Sequence, residues 1–538
     1  FSAATTQDSD VAVTITSGSG ITDANAAQIS AVAGITSGAV TASIAGDYAT
    51  VNALTNTDTN DAITVTVTDA ISVSDFATLN AKTGTDVILT GGMSDEAVNL
   101  ADTSGSLSTD FSAATTQDSD VAVTITSGSG ITDANVAQIS AVAGITSGVV
   151  TASITGTAAN LDQITTGASD KISITIDSGS HAAALLTSIG GKTALTVNAN
   201  NVDTLTGTLS EINVVLTADG NGTILIDDDF NATVSDTTIE ASALTALSTL
   251  TEGVITASAT TITGTDTEIQ NILADSTGIS IEANVNFDLD DTDVSSQSIL
   301  ASIASATNGS VIAANITDTD TAINSLALNN SSILENATGT ITANGTFVGE
   351  FINMINVADK ADLTINAGSG ADTIISGGGD DIIYGGRGDD IIKAANGNDI
   401  IAISDIETNG IDKLYSFRSN GNAADVKDAE GNDAGRDVIQ FSAADLQAVS
   451  GFTNYTGSGT KVTIDAGIYA EFLVNQDADE LGATFTYNTT TGFLTYDADG
   501  SGSNSSNTTV VQIFGDDDES VVLSDILSAD LSFTGGIA

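Results

Sequence analysis

The chain predicts a mainly β protein with short helices: a repetitive β/α solenoid-like body followed by a β-rich C-terminal part. Three observations carry that expectation. Runs of β-branched residues alternate with short phrases of helical period, and one long segment recurs almost unchanged. From Ala367 onward, glycine, aspartate and isoleucine also fall into a nine-residue register.

Composition bounds the rest. Over 538 residues, 41% are hydrophobic but only 4% aromatic, so a substantial core must come from Val, Ile, Leu and Ala. Acidic residues number 70 and basic residues 11, a net charge of −59. That balance excludes nucleic acid, whose phosphates need basic partners, and disfavours anionic lipid surfaces. Cysteine and proline are absent, which removes disulfides, thiolate metal sites and cysteine nucleophiles. No apolar run approaches the ~18–20 residues of a membrane span, so no membrane insertion is expected. Phe1 in place of an initiator methionine leads us to expect a processed form or a fragment.

The body is expected over residues 1–360. Residues 1–46 recur at 111–156 with three changes, Ala26 to Val136, Ala39 to Val149 and Ala45 to Thr155. Strand-like runs at 11–16, 63–68, 171–176 and 279–287 alternate with helical phrases whose apolar residues lie three or four apart. Examples are Leu161 with Ile164, Ile269 with Ile272 and Leu273, and Ile323 with Leu326. Thr265 and Glu268 fit a capping box. One strand and one helix in ~23–30 residues bury too little to fold alone, and stacked coils would bury each other's apolar faces. The offset of the long repeat also suits two tandem sandwiches, but helices this frequent favour the solenoid. Only Lys82, Lys171 and Lys192 precede Lys360. The body is thus an almost uncompensated anionic surface, which divalent cations would relieve.

Four consecutive units follow: AGSGADTII, SGGGDDIIY, GGRGDDIIK and AANGNDIIA. Asp372, Asp381, Asp390 and Asp399 hold the sixth place of each, and Ile374, Ile383, Ile392 and Ile401 the eighth. The third unit matches G-G-x-G-x-D-x-U-x at every defined place. Glycine permits turns with φ > 0 that direct backbone carbonyls toward one point, and aspartate adds a hard anionic oxygen, the donor set Ca²⁺ prefers. The units resemble the RTX, or hemolysin-type, calcium-binding repeat family. That resemblance implies a parallel β-roll over 361–405 in which each nonapeptide makes half a turn. It pairs Asp372 with Asp390 and Asp381 with Asp399 around Ca²⁺, with turn donors at Gly370, Gly379, Gly386, Gly388 and Gly397. The fourth unit departs from the pattern, carrying Ala394 and Ala395 for both leading glycines.

A β-rich C-terminal region is expected over 406–538. Residues 435–441 resemble the segment that commonly follows RTX rolls. Residues 491–500 resemble the family's Tyr-Asp-x-Asp-Gly hairpin, in which Asp497 and Asp499 would bind a further Ca²⁺ or form an ordinary acidic turn. The acidic-apolar tail, 520–538, looks like an uncleaved type I secretion signal.

No catalytic machinery is legible. His181 is the only histidine and no H-E-x-x-H helix exists, which removes the zinc protease option found among RTX proteins. No G-x-S-x-G elbow accompanies it, and His181 reads as a surface residue at a loop or helix start. The acidic groups Asp227, Asp228 and Asp229, and Asp288, Asp290, Asp291 and Asp293, lack an aromatic sugar platform and read as turns or cation sites. The expected function is non-enzymatic: a secreted, calcium-binding structural protein of the bacterial cell surface, forming an S-layer or an extracellular filament. The expected partners are other copies of the chain, calcium ions and cell-surface polysaccharide. An RTX adhesin or motility-related surface protein with a repetitive stalk is the alternative.

Overall fold

The structure is a computed structural model. It describes residues 9–16, 25–126, 134–289, 296–346, 348–357, 361–403, 406, 409–418, 435–442, 460–465, 468–476, 483–497, 507–514, 526 and 528–534. Contacts divide the chain into two compact units. One comprises Phe1–Asp236, Leu247–Ser258 and Thr277–Ser280; the other comprises Thr237–Ala246, Ala259–Ser276 and Ile281–Ala538.

In both units the strands of the repeating coils stack in parallel, each against the strand one coil further on. Thr41 lies opposite Ala62, Thr151 opposite Lys171 and Thr204 opposite Asn231 in the first unit. Thr238 lies opposite Thr261 and Ile316 opposite Ile341 in the second. One coil is therefore roughly 20–30 residues, a single supersecondary unit of a stacked repeat. Tandem sandwiches are excluded, because those are built from antiparallel sheets. Along each strand the side chains alternate between faces, so Val40, Ala42 and Ile44 are buried and stack on Ile63 and Val65 of the next coil. Each fully buried Val or Ile contributes about 1.5–3 kcal/mol.

The helices bury residues three apart, such as Phe76 with Leu79, Ile139 with Val142 and Ile269 with Ile272. Their starts are strongly specified. Asn25, Ser72, Asn135, Thr208 and Thr265 all form complete capping boxes, the last with Glu268. A second carboxylate often arrives from the following coil. Asp69, Asp95, Asp236 and Asp318 accept the N–H of the first helical residue at Tyr48, Val73, Leu209 and Gln297. An anion at a helix N-terminus is stabilised by the helix dipole, so part of the acidity is compensated without lysine.

A Thr-x-Gly step sets the spacing between coils. Thr146 Oγ1 donates to the Val121 carbonyl (2.6 Å) and accepts from the Gly148 N–H (3.0 Å). Thr36 with Gly38, Thr251 with Gly253 and Thr307 with Gly309 repeat the pattern. A Cβ on any of these glycines would overlap backbone of the preceding coil. The duplicated segment is likewise longer in structure than in sequence. Past its end, Lys82 and Lys192 each donate to two carbonyls of the preceding coil, and Asp61 and Asp170 each accept two backbone N–H groups.

The second unit continues through the nonapeptides into the C-terminal region. Asp412–Tyr415 extends their sheet and pairs in parallel with Asn507–Ile513. Antiparallel pairs then join Asn507–Ile513 to Phe493–Asp497, and Phe493–Asp497 to Thr484–Tyr487. Among the described residues no helix is long and apolar enough to cross a membrane.

His181 corrects a sequence expectation. It lies in the strand Gly179–Ala182, is 8% exposed, and its Nε2 is 3.0 Å from the Asp177 carbonyl oxygen. The serines and alanines around it concealed a strand that pairs in parallel with Val202–Gly207, and in that strand His181 is buried.

Candidate metal centre

The nine-residue units form the strands Thr373–Ile375, Ile382–Tyr384, Ile391–Lys393 and Ile400–Ile403. Successive units join different sheets: Ile374 lies opposite Ile392, and Ile383 opposite Ile401. Each unit is thus half a turn, and all four isoleucines are buried. The turns between them depend on glycine. Gly370, Gly379, Gly388 and Gly397 have φ from +105° to +131°. They stack so closely that a Cβ on Gly388 would fall on the Gly370 carbonyl oxygen, and one on Gly397 on that of Gly379. Gly386 is similar at +95°, stacked on Gly368, whereas the equivalent place in the fourth unit holds Ala395 at +60°.

This stacking places the sixth-position aspartates in two ladders. In the first, the Glu350 N–H donates to Asp372 Oδ1 (2.7 Å), the Asp372 N–H to Asp390 Oδ1 (2.8 Å) and the Asp390 N–H to Asp412 Oδ1 (3.0 Å). In the second, the Leu363 N–H donates to Asp381 Oδ1 (2.8 Å), the Asp381 N–H to Asp399 Oδ1 (2.9 Å) and the Asp399 N–H to Asp437 Oδ1 (3.4 Å). Asp372 is thus joined to Asp390, and Asp381 to Asp399.

Asp412 and Asp437 are members that sequence reading missed. A signal existed: Gly410-Ile411-Asp412-Lys413-Leu414 and Gly435-Arg436-Asp437-Val438-Ile439 keep the glycine, aspartate and apolar places of the unit. Gly410 and Gly435 again have positive φ and stack on Gly388 and Gly397. Insertions put these residues 22 and 38 positions from their ladder neighbours instead of 18, which broke the visible register.

The ladders use only half of each carboxylate. Oδ2 of Asp372, Asp381, Asp390 and Asp399 is buried and has no hydrogen-bond partner. A buried, unsatisfied carboxylate oxygen is costly and calls for a counter-charge. The Gly385 backbone packs so closely against one of them that a Cβ there would overlap Asp390 Oδ2. Burial pushes Asp381 up to about 8, Asp390 to about 6 and Asp399 to about 9, and raises Asp372 as well. Asp412 is pushed up to about 8 by burial. Asp437 reaches only about 6, because burial is offset by the Arg418 N–H and guanidinium.

Carboxylate oxygens and the carbonyls of the glycine turns are all-oxygen, partly anionic donors, the kind that suits Ca²⁺ and not a nitrogen- or sulfur-seeking metal. Among the described residues no three acidic or histidine side chains cluster, so any ion must draw on backbone oxygens too. Residues 365–401 match the family model of the RTX calcium-binding nonapeptide repeat in four copies.

This segment is an RTX repeat array.

RTX repeats bind Ca²⁺ in general, and proteins that carry them are typically secreted and extracellular. No curated protein and no solved structure matched the chain.

The other acidic candidates fall only partly within the described residues. Asp497 ends the strand Phe493–Asp497, is buried, and lies opposite Thr484 and Asn507. Asp499 lies outside the described residues. Asp227, Asp228 and Asp229 are exposed, and Asp288 is half-buried in the strand Asn286–Leu289. Asp290, Asp291 and Asp293 fall outside the described residues, as does most of the tail.

Proposed function

We propose that the protein is a non-enzymatic, secreted structural protein of the bacterial cell surface, folded by calcium and self-assembling as an S-layer or extracellular filament. The observation that carries this reading is the repetition of one coil construction through the body, with a recurring Thr-x-Gly step and recurring capping boxes. A surface that recurs at regular intervals lets a contact made once be made again, which propagates an open array. The RTX array supports export before folding by a type I route. At neutral pH its buried carboxylates, once ionised, oppose folding until they meet a divalent cation. Calcium bridging between copies through Asp227, Asp228 and Asp229 or through 288–293, and anchoring on cell-surface polysaccharide, belong to the same reading.

A second reading, an RTX adhesin or motility-related surface protein with a repetitive stalk, is favoured by one feature. Leu328, Val348, Phe351 and Ile355 are largely exposed just before the array, and exposed apolar clusters mark contact sites. Negative-stain microscopy with and without calcium separates the two. Ordered calcium-dependent polymers support assembly, and dispersed particles in calcium refute it. Changing Asp288, Asp290, Asp291 and Asp293 to Asn tests bridging: polymerisation at an unchanged calcium threshold rules that cluster out.

A further inference from the structure

The two RTX ladders end differently. Asp412 closes the first, with Oδ2 accepting from Asn409 Nδ2 (2.6 Å), a neutral donor that leaves the charge of the Asp390–Asp412 step uncompensated. Asp437 closes the second, with Oδ2 accepting the Arg418 N–H (2.8 Å). The Arg418 side chain turns toward the second ladder, and Nη2 donates to Asn396 Oδ1 (3.0 Å) in the turn leading to Asp399. Its Nη1 is buried without a partner.

We propose that Arg418 closes the Asp399–Asp437 step in place of an ion, so that calcium enters the other three paired-aspartate steps and not this one. The proposal rests on the calcium reading of the array. A guanidinium stays charged at any physiological pH and is more weakly hydrated than an ammonium, so it can act as a built-in counter-ion in a dry site. A calcium ion entering the same step would meet that fixed positive charge.

The test is calcium stoichiometry of the intact protein, by equilibrium dialysis with elemental analysis, for the parent and for Arg418→Gln, Asp437→Asn and Asp390→Asn. Arg418→Gln should take up one more calcium than the parent, and Asp437→Asn the same number. Arg418→Gln that keeps its fold in saturating calcium but gains no ion overturns the proposal. If Arg418→Gln does not fold, Asp437→Asn decides: loss of an ion overturns the proposal, and an unchanged number upholds it. A parent that takes up no calcium, or Asp390→Asn that loses none, sinks the calcium reading instead.

Discussion

Stripped of calcium, the RTX array should be folded in mild acid and come apart as the pH approaches neutrality. Asp381 and Asp412 are pushed up to about 8 by burial and Asp399 to about 9, against about 3.9 for an unfolded aspartate. A group raised in this way stabilises the fold fully below its unfolded value and loses that contribution as the pH climbs toward its folded one. The loss is about 1.4 kcal/mol per pH unit for each group, so between pH 5 and 7 Asp381 and Asp412 alone remove roughly 6 kcal/mol, and Asp399 acts in the same direction. Asp390 and Asp437, pushed up to about 6, add to the loss over its first half. The net stability of an ordinary domain is only about 5–15 kcal/mol, so a loss of this size consumes much or all of it. Saturating calcium should invert the trend, because the ion needs ionised carboxylates and competes with protons for them. Hydrogen–deuterium exchange on peptides spanning 367–403, in calcium-stripped buffer across this pH range, reads the array separately from the body. Protection that persists at neutral pH without calcium, or that grows with pH there, would refute the argument.

Other outcomes follow from single side chains. Asp390→Asn removes a ligand shared by two ladder steps and should weaken calcium binding more than Asp381→Asn, which serves one; a charged ligand is worth about 1.5–3 kcal/mol, read by calcium titration. Equal losses would contradict the ladder. Ala395→Gly should stabilise the array by about 0.5–1 kcal/mol, since Ala395 has φ +60° where the other units place glycine; thermal melting in calcium checks this. In the body, Gly148→Ala should cost about 1–3 kcal/mol by driving a methyl into the Val121 carbonyl. Gly144→Ala, four residues earlier in the helix Val136–Ile145 with open space around it, should instead stabilise by up to about 1 kcal/mol. Urea unfolding compares the two, and a like sign for both would show that the Thr-x-Gly step does not set the spacing.

Much of this protein is legible from residue order alone, wherever the cause is local. The nine-residue register of Asp and Ile, the amphipathic spacing of Ile269 and Ile272 and the Thr265–Glu268 capping box all act within a few residues. Coil stacking could also be inferred, because a strand and a helix this short cannot bury their own apolar faces. What tertiary structure alone decides involves partners one coil or more away. Gly148 is required by a carbonyl at Val121, and His181 is buried in a strand paired with one that starts at Val202. The ladder also depends on distant partners. Pattern placed an aspartate at each sixth position, but only stacking shows that one oxygen is held by an N–H 18 residues away while the other is left buried and unpaired. Asp412, Asp437 and Arg418 enter the site for the same reason. Parallel stacking aligns residues by coil and not by sequence distance, so an insertion that erases a repeat from the sequence leaves its place in the ladder unchanged.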